Sequence, residues 1–164
     1  MNVDMSVAPE IALLARPIPR QPGTSGSRPT IGKLAGELSA LASHPERWWG
    51  TVRFNQCRSA KIDLDLEKID LDLDFSGGFR GVVPPGQRSP SFWVAVLSPG
   101  DDGIDCDCDL MTVVAGDVLE ESVADGGGVT TGLRPGRIRV HGQGQVHQIR
   151  ASGDGFAVSL HLRG

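Results

Sequence analysis

Five consecutive residues, Asp105-Cys106-Asp107-Cys108-Asp109, place two thiols among three carboxylates. On an extended strand, positions i and i+2 share a face. Cys106 and Cys108 then point one way and the three aspartates the other. A spacing of roughly 6 to 7 Å along one strand is poor for a disulfide and good for gripping one metal ion together. Thiolates are soft anionic donors that favour Zn, Cu(I) or Ni. The competing reading makes both cysteines small buried hydrophobes, as free Cys often is. A second stretch, 136–151, carries His141 and His147. A lone histidine on a strand is ordinarily a core or surface residue. If the cysteines are not ligands, His141, His147 and His161 remain as a converging set. A Gly turn between the stretches of His141 and His147 counts against a shared face.

Charge is uneven along the chain. From Asp101 to Asp125 there are nine acidic residues and no basic one. From Gly132 to the end there are five Arg and a single acid, Asp154. Complementary charge on paired strands explains this in one way. The other reading is that some of these Arg line a site for an anionic small molecule.

The elements that must position these residues are short strands. Apolar or alternating segments run over 91–97, 104–108, 110–115, 118–123, 137–141, 146–151 and 156–162. Turn signals separate them, among them Pro99-Gly100, Gly116-Asp117, Gly126-Gly127-Gly128 and Pro135-Gly136. This density indicates a sandwich or a small barrel. One helix is expected over 31–43, where Ile31, Leu34, Ala35, Leu38, Leu41 and Ala42 share a face, with Thr30 as N-cap and Pro45 as stop. The β region is expected to begin with Arg47 to Phe54. Residues 61–74 repeat KIDLDLE as KIDLDLD, with strand alternation in each copy and a change of phase at Glu67-Lys68. Their charges read as a solvated sheet face, and their edge is offered to a second copy of the chain as a homodimer contact. Residues 76–90 read as a loop.

The chain has 164 residues, enough for one domain that needs no disulfide staple. Residues 1–30, broken by five prolines, read as a flexible N-terminal tail ahead of a domain over 31–164. A net charge of −4 argues against a nucleic-acid partner recruited by bulk charge. No apolar run is long enough for a membrane span, and no basic leader precedes the apolar patch Ile11 to Ala15. Three cysteines, an odd count, fit a reduced cytoplasmic setting.

The spacing in the second stretch resembles a known family. Gly136, five residues, Gly142-Gln143-Gly144, two residues, His147, three residues and Ala151 are similar to the second motif of the cupins. Gly142 stands where that motif has Pro, and Ala151 where it has Asn. Gly100, five residues and Cys106-Asp107-Cys108 resemble the first motif, with both of its histidines replaced by Cys. Asp109 takes the acid position and Gly116 closes the motif. Within the cupins the chain looks most like cysteine dioxygenase and related thiol dioxygenases. Cys106-Asp107-Cys108 looks like that family's His-Asp-His. Gly144 to Ile149 resembles the strand bearing its third iron ligand, and Ala157 to Leu162 its terminal Ser-His-Tyr strand. The resemblance covers residues 46–163.

It implies an all-β fold, a small cupin (double-stranded β-helix) barrel with one N-terminal helix. It implies an enzyme that oxidises the sulfur of cysteine or a related small thiol with O2, with specialised metabolism as one setting. The metal set would be Cys106, Cys108 and His147. The family uses Fe(II) on three histidines, whereas these thiolates favour Ni, Zn or Cu. Ser159 and His161 keep two thirds of the terminal triad that orients substrate and oxygen. Arg163 replaces the triad's Tyr, and Arg53 is the counterpart of the family's carboxylate clamp. The partner is then a small-molecule thiol or amino acid, with neither nucleic acid nor membrane. The alternative is a catalytically inactive cupin that binds a ligand or holds a metal through thiolates.

Overall fold

The computed structural model describes residues 29–66, 68–69, 90–124, 127–142 and 144–164. The expected tail over 1–30 lies outside them except at its last two residues. So do the expected loop over 76–90, except its final residue, and most of the second repeat copy.

Helix α1 spans Ile31–Ser43, and the Thr30 side chain accepts from the Lys33 N–H at its start. Leu34, Leu38 and Leu41 are buried, as their three- and four-residue spacing requires, while Ile31 is exposed. The segment after the helix does not begin the sheet. It makes two 3-10 turns, Pro45–Arg47 and Trp49–Thr51. Trp48 lies between them, folded back so that its indole N–H donates to the Leu41 carbonyl at 2.9 Å. That bond and the burial of the Trp48 ring bend the chain back against the helix end.

Among the described residues nine strands follow: β1 Ala60–Leu64, β2 Ser91–Leu97, β3 Ile104–Cys106, β4 Leu110–Ala115, β5 Val118–Ala124, β6 Gly127–Leu133, β7 Ile138–Val140, β8 His147–Ala151 and β9 Ala157–Arg163. They form two antiparallel sheets, ordered β1-β2-β9-β4-β7 and β3-β8-β5-β6. The pairs β2·β9, β3·β8, β4·β7 and β5·β6 are nested, as in one long hairpin wound across two sheets. That is the double-stranded β-helix, or jelly roll, of the cupin type.

Burial explains the strand patterns. The outer face of the first sheet (Phe92, Val94, Val96, Leu110, Leu160, Leu162) packs against Leu34, Leu38, Leu41 and Trp48. Its inner face (Trp93, Ala95, Met111, Val113) packs inside the barrel with Cys106, Cys108, Val118 and Ile149 of the second sheet and its loop. A sheet covered on both faces reads as a continuous apolar run, as Phe92 to Leu97 does. On β8, His147, Ile149 and Ala151 face the interior and are buried, while Gln148 and Arg150 on the other face are half-buried. In β1, Lys61 and Asp63 are exposed and Leu64 is buried, which matches the alternation of the first repeat copy.

Two differences from the sequence expectation matter. Gly127–Leu133 is a strand although its glycines read as a turn, because full-length pairing with β5 sets it. And β3 ends at Cys106, so Cys108 lies in the loop before β4. The alternation rule that put both thiols side by side does not extend past the strand end.

Candidate metal centre

Four elements bring side chains together inside the barrel. Cys108 comes from the β3–β4 loop, whose Asp109 N–H donates to the Leu162 carbonyl at 2.9 Å. His141 follows β7 directly, and its N–H donates to the Asp109 carbonyl at 2.8 Å. These two backbone bonds set Cys108 and His141 against each other. His147 opens β8, opposite Cys106 on β3 and Ser122 on β5. His161 lies on β9, opposite Trp93 on β2 and Met111 on β4.

The Cys108 Sγ is the hub. It lies 3.8 Å from His141 Nδ1, 3.7 Å from His147 Nε2 and 3.3 Å from His161 Nδ1. One donor atom from each of Cys108, His141 and His147 falls within 4.8 Å of the others. His161 touches the sulfur but stands outside that group of three. The His141 and His147 rings stack at 3.9 Å between centroids. The His161 ring stacks on Trp93 at 3.7 Å, and the Lys61 ammonium sits 4.1 Å from the centre of the Trp93 ring. Ser159 Oγ and His161 Nε2 are 2.8 Å apart, so the ring spans from Ser159 to Cys108.

Behind His141 stands Glu120, 1% exposed. One of its carboxylate oxygens hydrogen-bonds His141 Nε2, and the other accepts from Arg139 Nε at 3.1 Å. A carboxylate on the far nitrogen of an imidazole fixes its tautomer and turns the near nitrogen into a donor toward a metal.

Burial controls the protonation states. It pushes the Cys106 thiol up to about 12, and the Cys108 thiol well above its ordinary value, aided by Cys106 beside it. It lowers His147, with His141 as the next cause, and lowers His161 much further, with His147 and then His141 adding to the effect. His147 and His161 are therefore neutral imidazoles at neutral pH, the form that ligates metals. A bound cation inverts the thiol's preference and deprotonates it.

The residues present fit a transition metal. In a tetrahedral site with Zn–S and Zn–N bonds of ordinary length, the S···N edge is roughly 3.6 Å. The two observed S···N separations, 3.8 and 3.7 Å, are close to that edge. Three protein donors leave a position for a substrate or water.

The remaining expected site residues are placed as follows. Cys106 is buried and shares the interior face with its cross-strand partner His147, but its Sγ lies 3.7 Å from the Ile104 carbonyl and outside the group of three. Ser159 and His161 are together, both buried. Arg163 is half exposed and pairs with Asp107. Arg53 is exposed and donates to the Gly50 and Val52 carbonyls at 2.6 and 2.9 Å. Sequence reasoning passed over Glu120. Its signal is phase, since Glu120 alternates with the buried Val118 whereas Glu121 faces outward to Arg150.

No protein-family model and no curated protein matches the sequence. Among solved structures, the chain is similar to hydroxypropylphosphonic acid epoxidase from S. wedmorenis in complex with fosfomycin, at 16% identity and a TM-score of 0.40, over 46% of this chain and 44% of that one. It is similar to oxalate oxidase in complex with the substrate analogue glycolate, at 17% identity and a TM-score of 0.48, over 68% of this chain and 55% of that one. A structural-genomics protein of unknown function from Rhizobium leguminosarum bv. viciae 3841 matches at 18% identity and a TM-score of 0.39, over 83% of this chain and 93% of that one. The chain spans about half the length of the epoxidase and oxidase chains. Among the described residues, no helix is long and apolar enough to cross a membrane.

Proposed function

We propose that Cys108, His141 and His147 hold one transition-metal ion, and that the protein uses it to oxidise the sulfur of cysteine or a related small thiol with O2. The observation that carries the metal centre is the pair of S···N separations, 3.8 and 3.7 Å, around one buried sulfur. In balance, a thiol RSH and one O2 give a sulfinic acid, RSO2H, so no further reductant is required. A bound transition metal would supply the redox exchange between thiol and oxygen.

The protein's own residues prepare that place. Glu120 holds His141 in one tautomer, and Arg139 holds the other Glu120 oxygen in position. Ser159 and Trp93 fix the plane and the rotation of His161. The neutral His161 then meets the sulfur through Nδ1, with Nε2 satisfied by the Ser159 hydroxyl. If Nδ1 carries the proton, it donates to a Cys108 thiolate while Ser159 donates to Nε2. Met111, Val113 and Ile149 give the interior apolar walls. A reducing cytoplasm is the compartment in which this thiol stays available.

Burial favours a second reading. Cys108 and His161 are 1% and 0% exposed, which suits a thiolate metal-binding protein without turnover. Metal analysis of protein purified without chelator, followed by thiol-dependent oxygen uptake, separates the two. Stoichiometric metal with oxygen consumption on cysteine supports the oxidative reading. Stoichiometric metal without consumption on any small thiol supports the storage or structural one. Absence of bound metal from protein offered Fe, Ni, Zn and Cu overturns both.

A further inference from the structure

At the open side of the barrel, the edge strands β6 and β7 belong to different sheets, and a cleft of about 430 Å³ lies between them and β4. Leu133 and Ile138 give it apolar walls and Thr131 a hydroxyl. Arg134, Arg137 and Arg139 line it, and among the described residues no acidic one does. This is a concentrated positive site on a chain whose net charge is −4.

The arginines are not equivalent. Arg139 is held by Glu120 across the gap between the sheets. Arg134 and Arg137 have no ion-pair partner among the described residues. Their turn is nonetheless pinned. The Gly136 N–H donates to the Val113 carbonyl at 3.4 Å, and the Thr112 hydroxyl donates to the Arg137 carbonyl at 3.1 Å. Gly136 has φ of +88°, a conformation that favours glycine, so the turn is built for this shape. Two unpaired guanidiniums on an anchored turn, beside an apolar wall, make an oxyanion clamp with a place for a hydrocarbon body.

We propose that this cleft binds a small organic anion, an oxyanion group on a short apolar body, with Arg134 and Arg137 holding the charge and Leu133 and Ile138 the body. Arg139 belongs both to the cleft and to the Glu120–His141 chain, so an occupied cleft bears on the metal centre. That link, unlike the binding itself, rests on the metal-centre reading above.

The test is a titration of the full, isotope-labelled chain with butyrate and with inorganic phosphate, followed by amide resonances. Saturating shifts centred on residues 131–139 are expected, weakening with added salt. The Arg134→Ala/Arg137→Ala variant, whose changes are at exposed positions, is expected to weaken binding by about tenfold or more. Saturation with butyrate alone assigns a carboxylate, and saturation with phosphate assigns a phosphoryl group. Shifts that do not saturate with either probe, or that saturate equally in the double variant, overturn the proposal. His147→Ala is run beside it. Metal loss with anion binding retained separates the cleft from the centre. Loss of anion binding in a still-folded His147→Ala puts the anion at the centre and overturns the cleft.

Discussion

Glu120 grips His141 from behind: one carboxylate oxygen bonds Nε2 while Nδ1 of the same ring faces the Cys108 sulfur at 3.8 Å. The carboxylate comes from β5 and the imidazole from the end of β7, so this bond also ties the two sheets together at their open side. The ring cannot turn toward another partner without leaving a 1% exposed carboxylate with Arg139 alone.

Replacing that carboxylate tests its role. Glu120→Gln keeps the shape and removes the charge. Metal affinity is expected to fall by about 10- to 100-fold, as for other outer partners of ligating histidines. Competition with a chelator of known affinity measures it, with circular dichroism confirming the fold. Unchanged affinity would make Glu120 a partner of Arg139 only.

Ser159 has a different part. Its hydroxyl meets His161 Nε2 at 2.8 Å where both side chains are 0% exposed. Ser159→Ala leaves a buried ring nitrogen unsatisfied and is expected to cost about 1–3 kcal/mol of stability. The same variant frees His161 to change tautomer, so oxygen uptake should fall more than metal content does. Equal losses of both would mean that the hydroxyl only supports packing.

Glu37 carries the pH dependence that can be read outside the centre. It lies in the buried face of α1, 4% exposed, and its Oε1 has no hydrogen-bond partner among the described residues. Burial raises its pKa above 4.5, against a smaller opposing pull from Lys33. A raised folded pKa means the folded state binds the proton more tightly. The stabilisation is complete below the unfolded value and is lost as pH rises through the folded one. Glu37→Met should therefore raise stability at pH 7 by about 1 kcal/mol, the scale of an unsatisfied buried polar group. The gain should shrink toward pH 4. Urea melts at the two pH values decide it, and a gain that does not shrink on acidification would rule out the charge as its cause.

What could be read in advance follows from which forces are local. Helix α1 was legible because its cap, its period and the proline after it act within a few residues. The jelly roll was legible from strand density and from the spacing around His147. Strand β6 was not, because glycine is a poor strand former on its own and only pairing with β5 makes Gly127–Leu133 extended. His141 is legible as a candidate ligand singly or within an all-histidine set, and not as a partner of Cys108. Its union with Cys108 depends on backbone bonds to Asp109 and Leu162, which join segments far apart in sequence. Arg53 as a clamp came from the family resemblance alone, and its guanidinium is engaged by two nearby carbonyls.

The cysteine pair gives the sharpest test, because the two thiols are chemically alike and differ in placement. Cys106 ends β3 with its sulfur toward the Ile104 carbonyl, while Cys108 sits in the next loop among three imidazoles. Both are buried, so replacing either with Ser carries a similar packing penalty and stability alone will not tell them apart. Metal binding will. Cys108→Ser replaces the soft donor with a hydroxyl that does not ionise at neutral pH, so stoichiometric metal should be lost. Cys106→Ser should keep it. Binding of metal to the folded state stabilises in proportion to the logarithm of free metal over Kd, so added metal should raise the Tm of the native chain and of Cys106→Ser but not of Cys108→Ser. If instead Cys106→Ser also loses the metal and its thermal shift, both sulfurs are ligands, and the loop must close further around the ion than the positions of these side chains show.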